Sequence, residues 1–309
     1  MLRPLLSVQV PVRNPGAGMS LFLGSLAGQA GLDFEWELVL ADDGSDPPVS
    51  GRFDLETCGA GRVRVVRLEG EGNRPAARNA ALEASEGPVS LLADADLKFA
   101  PDVLKAHADA HRAGRADVFR GARINAWSPR ATPWQKWFDT RAGNLAPAGP
   151  MPWRHLVTGN VSIRTKLLVE SGGMDPSIVT YGGEDTELGY RLFRMGASFY
   201  RDPAVRAYHL DEVTVRRHSE KMAEYGAGGL RKFLEAHPEA GGLLGSRWME
   251  PVLAEPVAMA PVRLAVRLAL LRPLYRFVLA WMEKAGRPRF LFTYLSVGAV
   301  LRGLSGRGV

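Results

Sequence analysis

Short apolar runs that end in polar residues recur along the first two hundred residues of the chain. The runs over 5–12 and 36–41 are apolar and rich in β-branched residues, as expected of buried strands. Between them, residues 19–30 carry apolar side chains at helical spacing. A strand, a helix and a strand in this order predict two parallel neighbours in one sheet.

The same alternation continues downstream. Further strands are predicted over 62–68, 88–92, 116–124 and 156–163. Further helices are predicted over 74–82, 101–113 and from about residue 182, and a short strand pair is predicted near 199 and 205. Residues 1–210 are therefore expected to form one α/β domain with a mostly parallel sheet flanked by helices.

Residues 125–152 interrupt this pattern with a long, proline-rich segment that is predicted to be a loop. It carries the aromatic residues Trp127, Trp134, Trp137 and Phe138. A connection of this length inside a compact domain is usually functional or disordered. Exposed tryptophans would stack on sugar rings, whereas buried ones would bridge two lobes, and the sequence leaves both interpretations open.

Carboxylates follow two of the predicted parallel strands. Asp42 and Asp43 come after the second strand, and Asp94 and Asp96 come after the strand over 88–92. Ligands bind at the carboxyl edge of such sheets, and two acids there can share a divalent cation and the phosphates that it bridges. The alternative for a lone Asp-Ala-Asp is a solvated turn.

A second group of polar residues surrounds the segment 156–192. Gly159 interrupts a strand, which often marks close backbone approach to a ligand. Gly183 is followed by Glu184 and Asp185 at the predicted start of an amphipathic helix. Acids in a first helical turn are also stabilised by the helix dipole alone, so this pattern has a structural explanation as well.

Four short motifs together resemble the nucleotide-sugar half of the family 2 glycosyltransferases, which have the GT-A fold. They are Pro11-Val12-Arg13-Asn14, Ala41-Asp42-Asp43-Gly44-Ser45, Ala77-Arg78-Asn79 and Asp94-Ala95-Asp96. No G-x-G-x-x-G follows the first strand, so the dinucleotide-binding Rossmann interpretation lacks its motif.

The run from Gly182 to Leu192 closely resembles the acceptor-side signature of the same family, especially in enzymes that transfer galactose or N-acetylgalactosamine. The stretch that contains Gly159 and Asn160 resembles the segment before that signature. His209 occupies the place of a histidine that completes the cation site in metal-dependent GT-A enzymes. His218 and His155 are weaker candidates for that role.

The resemblance implies a set of donor-side roles. Asp96 and His209 would bind Mn²⁺ or Mg²⁺, and Asp94 would reach the ribose or the metal. Nucleotide-sugar contacts are expected from Pro11, Arg13, Asp42, Asp43 and Arg78. Among these, Asp43 and Arg78 would contact the uracil end of a UDP-sugar.

On the acceptor side, Asp185 would take the acceptor proton as general base, which gives inversion at the anomeric carbon. Glu184 would position the acceptor, with Gly159, Asn160 and Gly183 also in contact with it. The expected acceptor is a hydroxyl of a glycan or of a lipid-linked molecule, and no nucleic-acid partner is expected.

Two departures from the family pattern leave the donor sugar open. Lys98 closely follows the metal motif, and the loop before Arg78 is altered to Gly70-Glu71-Gly72-Asn73-Arg74. A nucleotidyltransferase that makes sugar nucleotides is one alternative, although its glycine-rich loop matches residues 13–18 poorly. A non-catalytic sugar- or membrane-binding protein is the other, and it would not need Asp185 together with the metal set.

Composition narrows the setting of the protein. The 309 residues contain one cysteine, Cys58, which excludes an intramolecular disulfide and suits a reducing compartment. No signal-peptide core follows Met1, and the longest uncharged apolar run, 290–301, is far shorter than the roughly 20 residues of a membrane span. A cytoplasmic protein is expected, without export or a membrane span.

The positive charge is concentrated at the end of the chain. Residues 256–309 carry nine arginines or lysines and one acid, although the whole protein has a net charge of only +6. Residues 211–309 are predicted to form a helical, basic and amphipathic extension, with a helix over 212–235 and apolar helices over 261–284 and 290–301. Such helices either bind an anionic membrane surface at the cytoplasmic face or pack on the catalytic domain with their arginines in solvent.

Overall fold

The computed structural model describes residues 5–69, 72–244, 254 and 257–306. Two residues of the altered loop, Gly70 and Glu71, and the tail residue Arg307 lie outside this set. The chain divides into two compact units. The first comprises 1–129, 138–177 and 184–212, and the second comprises 130–137, 178–183 and 213–309.

The first unit is built on a mixed sheet. Its strands are β1 Leu6–Val12, β2 Trp36–Asp43, β3 Arg62–Leu68, β4 Val89–Ala93, β5 Leu97–Phe99, β6 Val118–Ile124, β7 Gly149–Pro150, β8 Asn160–Arg164 and β9 Phe199–His209. Residues of β1, β2 and β4 are almost all buried, which explains their nearly continuous apolar sequences.

Helices connect the strands. Up to residue 194 they are α1 Gly18–Ala27, α2 Arg74–Glu83, α3 Val103–Arg112, α4 Pro133–Phe138, α5 Thr165–Glu170 and α6 Glu184–Arg194. Helix α4 belongs to the second unit except for its last residue. The start of α2 is fixed by Asn73, whose side chain accepts a hydrogen bond from the Ala76 amide, and by Pro75 in the first turn.

Strand order determines which loops meet. The sheet runs β3-β2-β1-β4-β8-β6-β9-β5, and β7 pairs with β9. Strands β3, β2, β1 and β4 are parallel, β8 is antiparallel to both β4 and β6, and β9 is parallel to β6. The carboxyl ends of β1, β2, β4, β6 and β9 and the start of β8 therefore lie at one edge of the sheet.

Two local predictions are wrong. The strand pair near 199 and 205 is the single strand β9, which stays paired with β6 because a register shift opposite Gly121 and Ala122 accommodates Pro203. The segment 125–152 is not wholly a loop, since it contains α4 and the short strand β7.

The second unit is helical. After α4 it contains α7 Val215–Ala227, α8 Gly229–Ala236, α9 Ala260–Ala269, α10 Arg272–Ala285 and α11 Phe290–Leu304. The predicted helices over 212–235 and 261–284 are each two helices. The first breaks at Gly228, and the second breaks at Leu270 and Leu271 because Pro273 in the first turn of α10 cannot continue α9.

Small residues let α7 and α11 pack with their backbones in contact. A Cβ on Gly226 would collide with the Val300 carbonyl, and one on Gly303 would collide with the Ala223 carbonyl. Contrary to the solvated-arginine interpretation, Arg263 and Arg302 are buried and donate to the carbonyls of Ala254 and Leu270. No helix among the described residues has the length and apolar character needed to cross a membrane.

Candidate active site

Most of the predicted donor-side residues lie together at the shared edge of the sheet. Pro11 lies in β1, Asp42 and Asp43 end β2, Asp94 and Asp96 follow β4, and His209 ends β9. The β-α-β order predicted the first three strand ends. The fourth depends on the antiparallel pairing of β5 with β9, which sets Leu97 opposite His209 and so brings Asp96 to the histidine.

Asp94 is held between two arginines. Its Oδ1 accepts from Arg78 Nη2 at 2.5 Å, and its Oδ2 lies 3.6 Å from Arg123 Nη1. The Arg78 side chain is buried, and its Nε has no hydrogen-bond partner among the described residues. A cation near a helix N-terminus is unfavourable because it faces the positive end of the helix dipole. The contact with Asp94 offsets this effect for Arg78. The contacts with both arginines also leave Asp94 less suited to a metal than Asp96.

Asp96 and His209 form a separate pair. Asp96 Oδ2 lies 3.3 Å from His209 Nε2, and His209 Nδ1 lies 2.9 Å from the Asp211 carbonyl. Since a carbonyl can only accept, Nδ1 carries a proton and donates to it. Nε2 then either carries a second proton and donates to the Asp96 carboxylate, or is deprotonated and offers its lone pair to a cation. Asp96 Oδ1 is buried and has no hydrogen-bond partner among the described residues.

The two groups shift each other's ionisation, which leaves Asp96 as an anionic carboxylate. A bound cation would have to replace the proton on His209 Nε2. Burial raises the pKa of Asp96, but the hydrogen bond from His209 and the charges of His209 and Arg123 outweigh it, so the net shift is downward. Burial lowers the pKa of His209, but its contacts with Asp96 outweigh that effect and raise it. A carboxylate is a ligand type that both Mn²⁺ and Mg²⁺ prefer, whereas an imidazole is more typical of transition metals, so the pair fits Mn²⁺ better than Mg²⁺.

The residues of this pair fit a cation site in which the protein provides only some of the ligands. No group of three or more potential ligands from His, Cys, Asp and Glu occurs within the described part of the chain. Asp96 and His209 would supply two protein ligands to a bound cation, and phosphate oxygens or water would have to supply the rest.

Asp42 shapes the loop after β2. It accepts from the backbone amides of Ser45 at 2.8 Å and Val49 at 3.1 Å, and from Arg67 Nη1 at 2.8 Å. Burial opposes the effect of these bonds, yet the pKa of Asp42 is lowered overall. Both carboxylate oxygens accept hydrogen bonds that shape this loop, and the predicted contact of Asp42 with the donor stays a prediction. Its neighbour Asp43 is also largely buried, with 7% of its surface exposed.

The loop after β1 is tied to the loop after β2. The Asn14 amide donates to Ser45 Oγ, and Asn14 Oδ1 accepts from the Asp46 amide. Asn14 has a φ of 45°, in the left-handed region that asparagine tolerates better than most residues. The neighbouring Arg13 is exposed, and its guanidinium lies against Gly72, where a Cβ would collide with it.

Glu184 and Asp185 occupy the first turn of α6, where Glu184 is buried and Asp185 is partly buried. Asp185 Oδ2 accepts from the Thr158 amide at 3.1 Å. Asp185 Oδ1 and Glu184 Oε2 are buried without hydrogen-bond partners among the described residues. Each acid therefore has one oxygen that no described side chain or amide satisfies, which is costly unless a proton or a ligand meets it.

The two acids are electrostatically linked to the donor side. Burial and the charge of Asp185 raise the pKa of Glu184 to about 7, against opposing contributions from Arg74 and Arg78. Burial also raises the pKa of Asp185, although Arg78 and the Thr158 amide favour its ionised form. A proton shared by the pair is thus better placed on Glu184, since Asp185 has the stronger anion-stabilising partners.

Gly159 connects the two halves of the site. Its φ is 111°, and a Cβ there would lie 2.9 Å from Asp94 Oδ2. The preceding residue, Thr158, is the one that donates to Asp185. Consecutive residues of one turn therefore approach Asp94 and Asp185, and glycine is required for the first of these approaches.

Asn160 has a structural role in the sheet, and its predicted contact with the acceptor stays a prediction. Its Nδ2 donates to the carbonyls of Ala122 and Val205, and its Oδ1 accepts from His107 Nε2. The side chain is buried inside the sheet, and these bonds cross-link β8, β6 and β9. Gly183 lies in the second unit, where a Cβ would be 2.6 Å from the Gly229 Cα.

The remaining tryptophan and histidine candidates have different surroundings. Trp134 and Trp137 stack with ring centroids 5.1 Å apart and pack with Phe292 and His218 in the second unit. His218 also bonds Ser296 through Nε2. His155 lies in a turn beside Arg120 and Arg154; burial and these charges lower its pKa to about 4. Trp127 is half exposed and donates to the His209 carbonyl.

Sequence reasoning missed Arg123 and Thr158. Arg123 reaches Asp94 from β6, and Thr158 reaches Asp185 from the turn before β8. Neither lies in a distinctive local pattern. Their positions follow from the strand order β8-β6-β9, which local periodicity does not encode.

The fold matches that of solved GT-A glycosyltransferases. A mannosyltransferase from Pyrobaculum calidifontis, solved with GDP-Man and Mn²⁺, aligns over 98% of this chain and 88% of its own, with a TM-score of 0.57 and 17% identity. S. aureus TarS residues 1–349, solved with UDP, aligns over 97% and 90%, with a TM-score of 0.54 and 18% identity. The fold is therefore the GT-A fold, as predicted.

The chain belongs to glycosyl transferase family 2. The model of that family matches residues 7–168, just over half of the chain, and a model described as the N-terminal domain of galactosyltransferase matches residues 144–218. The second match includes the acceptor-side signature, so the family resemblance seen in the sequence is confirmed.

Curated relatives are distant and longer. The hyaluronan synthase of Pasteurella multocida is 26% identical over 71% of this chain and 26% of its own. Validoxylamine A glucosyltransferase of Streptomyces hygroscopicus subsp. limoneus is 29% identical over 62% of this chain and 49% of its own. The chain thus spans between a quarter and a half of these relatives.

Proposed function

We propose that this protein is an inverting, metal-dependent glycosyltransferase that moves a sugar from a UDP-sugar to a hydroxyl of a glycan or lipid-linked acceptor. One observation carries the proposal. The Asp185 carboxylate has one oxygen fixed by the Thr158 amide and the other buried without a partner, and a single turn links it to Asp94 at the acidic edge of the sheet.

The donor would bind along the strand ends. Pro11, Arg13 and Asp43 would contact the nucleoside, with the loop after β2 held in shape by Asp42. Arg78 and Arg123 fix Asp94 toward the ribose, and the unpartnered Arg78 Nε is a donor for an anionic group. A UDP-sugar is the proposed donor on the family pattern, and the bound UDP of TarS residues 1–349 is compatible with it.

Asp96 and His209 would hold Mn²⁺ or Mg²⁺. The bound ion supplies positive charge to the departing diphosphate as a Lewis acid. The residues contribute an anionic carboxylate with a free oxygen and an imidazole whose tautomer is set by the Asp211 carbonyl. The Mn²⁺ in the mannosyltransferase from Pyrobaculum calidifontis supports this use of a divalent cation within the fold.

Asp185 would act as the general base. Its free Oδ1 would accept the proton of the acceptor hydroxyl while the oxygen of that hydroxyl attacks the anomeric carbon and the bond to the diphosphate breaks. Burial makes Asp185 more basic than an exposed aspartate, which favours proton transfer near neutral pH. Glu184, protonated over much of the acidic range, would donate a hydrogen bond to the acceptor without adding repulsion.

We assign these roles to residues 1–210 as the catalytic domain and place the reaction in the cytoplasm, in keeping with the single cysteine. The acceptor hydroxyl and the sugar follow from none of these contacts. The curated relatives are named as a hyaluronan synthase and as a glucosyltransferase, so their names do not agree on one sugar. The donor therefore needs a direct screen.

The test is a screen of nucleotide sugars for release of free nucleotide, with Mn²⁺, with Mg²⁺ and with chelator. We expect release from at least one UDP-sugar, dependent on the cation and stimulated by a hydroxyl acceptor. The anomeric configuration of the product, read by NMR coupling constants, should be opposite to that of the donor. Retention of configuration, or turnover that is unaffected by chelator, would contradict the proposal.

A further inference from the structure

Exposed apolar side chains are concentrated on α9, on α10 and at the residue Leu271 between them. Half of the large hydrophobic side chains that are exposed among the described residues lie between residues 262 and 297. We call the following six the α9–α10 surface: Leu264, Leu268, Leu271, Leu274, Phe277 and Trp281. Patches of this kind usually mark an interaction site.

Helix α10 carries more apolar side chains than are buried within the second unit. Tyr275, Val278, Leu279 and Met282 point into the second unit and are buried. Leu274, Phe277 and Trp281 follow at i, i+3 and i+7 on another side of the helix, where 45%, 68% and 45% of their surfaces are exposed. The first set accounts for packing, and the second set has no such explanation within the described residues of this unit.

Cations border this surface. Arg272, Arg276 and Lys284 on α10 are exposed, and Arg287 and Arg289 follow in the next turn. The acid in this stretch, Glu283, is engaged by Arg216 through two hydrogen bonds. Positive charge therefore accompanies these apolar residues, a tryptophan among them, and no ion pair with an acid is found for Arg272, Arg276 or Lys284 among the described residues.

We propose that the α9–α10 surface binds the interfacial region of an anionic lipid membrane. Phe277, Trp281 and the leucines would enter the acyl boundary, and the arginines and Lys284 would meet lipid phosphates. A second copy fits less well, since a two-fold contact through this surface would set its arginines against their own copies. The proposal goes beyond the proposed function and does not depend on it.

Flotation of the intact protein with vesicles tests this directly. We expect binding to vesicles of phosphatidylglycerol and phosphatidylcholine, weaker binding to phosphatidylcholine alone, and release at high salt. The double variant Phe277→Ser, Trp281→Ser should lower the vesicle affinity by roughly tenfold or more. The matched control Leu21→Ser, Val169→Ser removes two apolar side chains of similar exposure from α1 and α5 and should bind as the parent does.

A spectroscopic measurement locates the contact. Lipids brominated in the acyl chain should quench part of the tryptophan fluorescence of the parent, and Trp281→Phe should lose that part. Nucleotide release in solution should be equal in the parent and the double variant, which separates this proposal from the proposed function. Absence of vesicle binding, equal binding by the double variant, or a dimer that dissociates in the double variant by sedimentation would overturn it.

Discussion

Glu184 and Asp185 are adjacent acids whose surroundings give them different protonation. Asp185 receives the Thr158 amide and lies within the field of Arg78, whereas burial and the charge of Asp185 raise the pKa of Glu184 to about 7. The pair can therefore keep one proton and one charge near neutral pH, which suits a general base beside a hydrogen-bond donor. Two predictions follow from this difference.

The substitution Asp185→Asn should keep donor binding and lose transfer. An amide of the same shape can still accept from Thr158 but cannot take a proton, so the turnover number should fall on the order of 10²- to 10⁴-fold. Calorimetric affinity for UDP in the presence of Mn²⁺ should change little. Near-normal turnover would mean that the base lies elsewhere, with Glu184 as the next candidate. For the parent, activity should fall as the pH drops through the raised pKa of Asp185.

The substitution Glu184→Gln should change how stability depends on pH. The pKa of Glu184 is raised in the folded state, so the neutral side chain favours folding below pH 4.5 and that contribution is lost as the pH rises toward about 7. Glutamine has no such loss. The variant should therefore gain on the parent between pH 4.5 and pH 8, by up to about 3 kcal/mol in the free energy of unfolding. Urea titrations at both pH values measure this, and a pH-independent difference would argue against a buried, protonated Glu184.

At the scale of elements, the loop before α6 depends on the junction of α7 and α8. A Cβ on Gly229 would collide with the Gly182 carbonyl and lie 3.0 Å from the Gly183 Cα. The Tyr181 amide of the same loop donates to Glu224 on α7. Helices of the second unit thus hold the glycine pair that directly precedes Glu184 and Asp185.

The substitution Gly229→Ala should displace that loop and reduce turnover on the order of 10²-fold, because misplacement by about 1 Å is enough to disturb a reacting geometry. Donor affinity should be nearly unchanged, since the donor-side residues lie at other strand ends. Gly24→Ala is the matched control, a helical glycine with open space around its Cβ position. Equal turnover of both variants would show that the contact with Gly182 is unimportant for the reaction.

A buried polar network connects α3 to the sheet. His107 bonds Ser162 through Nδ1 at 2.7 Å and Asn160 through Nε2 at 2.9 Å. Burial lowers the pKa of His107 to about 3, so the imidazole is neutral in the folded protein. Stability from this group is complete above the unfolded value of 6.5 and is lost as the pH falls.

The parent should therefore lose up to about 3 kcal/mol of unfolding free energy through His107 between pH 7.5 and pH 4.5. His107→Gln should be less stable than the parent at pH 7.5 but should lose less on acidification. Chemical denaturation at several pH values gives both quantities. Parallel pH profiles for the two proteins would show that His107 does not titrate in this way.

At the scale of the whole molecule, the sequence predicted the strands whose apolar runs are continuous and the acids at their ends. Asp43, Asp94 and Asp96 lie at one edge because β-α-β units place successive carboxyl ends together. Arg123, Thr158 and the pairing of Asp96 with His209 depend on the antiparallel strands β5 and β8 and on the long strand β9. No local spacing encodes those long-range pairings, so only the family resemblance pointed to His209, and nothing pointed to Arg123.

Segments of the second unit were also beyond local patterns. Residues 130–137 and 178–183 group with the C-terminal helices, although the sequence around them suggested parts of the α/β domain. Trp134 and Trp137 belong to an aromatic core with Phe292, which is far along the chain. Apolar character predicted burial or sugar stacking equally well, and only the tertiary partner distinguishes the two.

We propose that a divalent cation held by Asp96 and His209 links the acidic edge of the sheet to the diphosphate of the donor. The test is a calorimetric titration of UDP into the parent, once with Mn²⁺ and once with chelator. The same titrations are repeated with Asp96→Ala and with the control Lys98→Ala, which changes an exposed neighbour in β5. We expect chelator and Asp96→Ala each to weaken UDP binding by at least roughly tenfold, whereas Lys98→Ala should bind UDP as the parent does. UDP binding of equal affinity with Mn²⁺ and with chelator, or unchanged by Asp96→Ala, would contradict it.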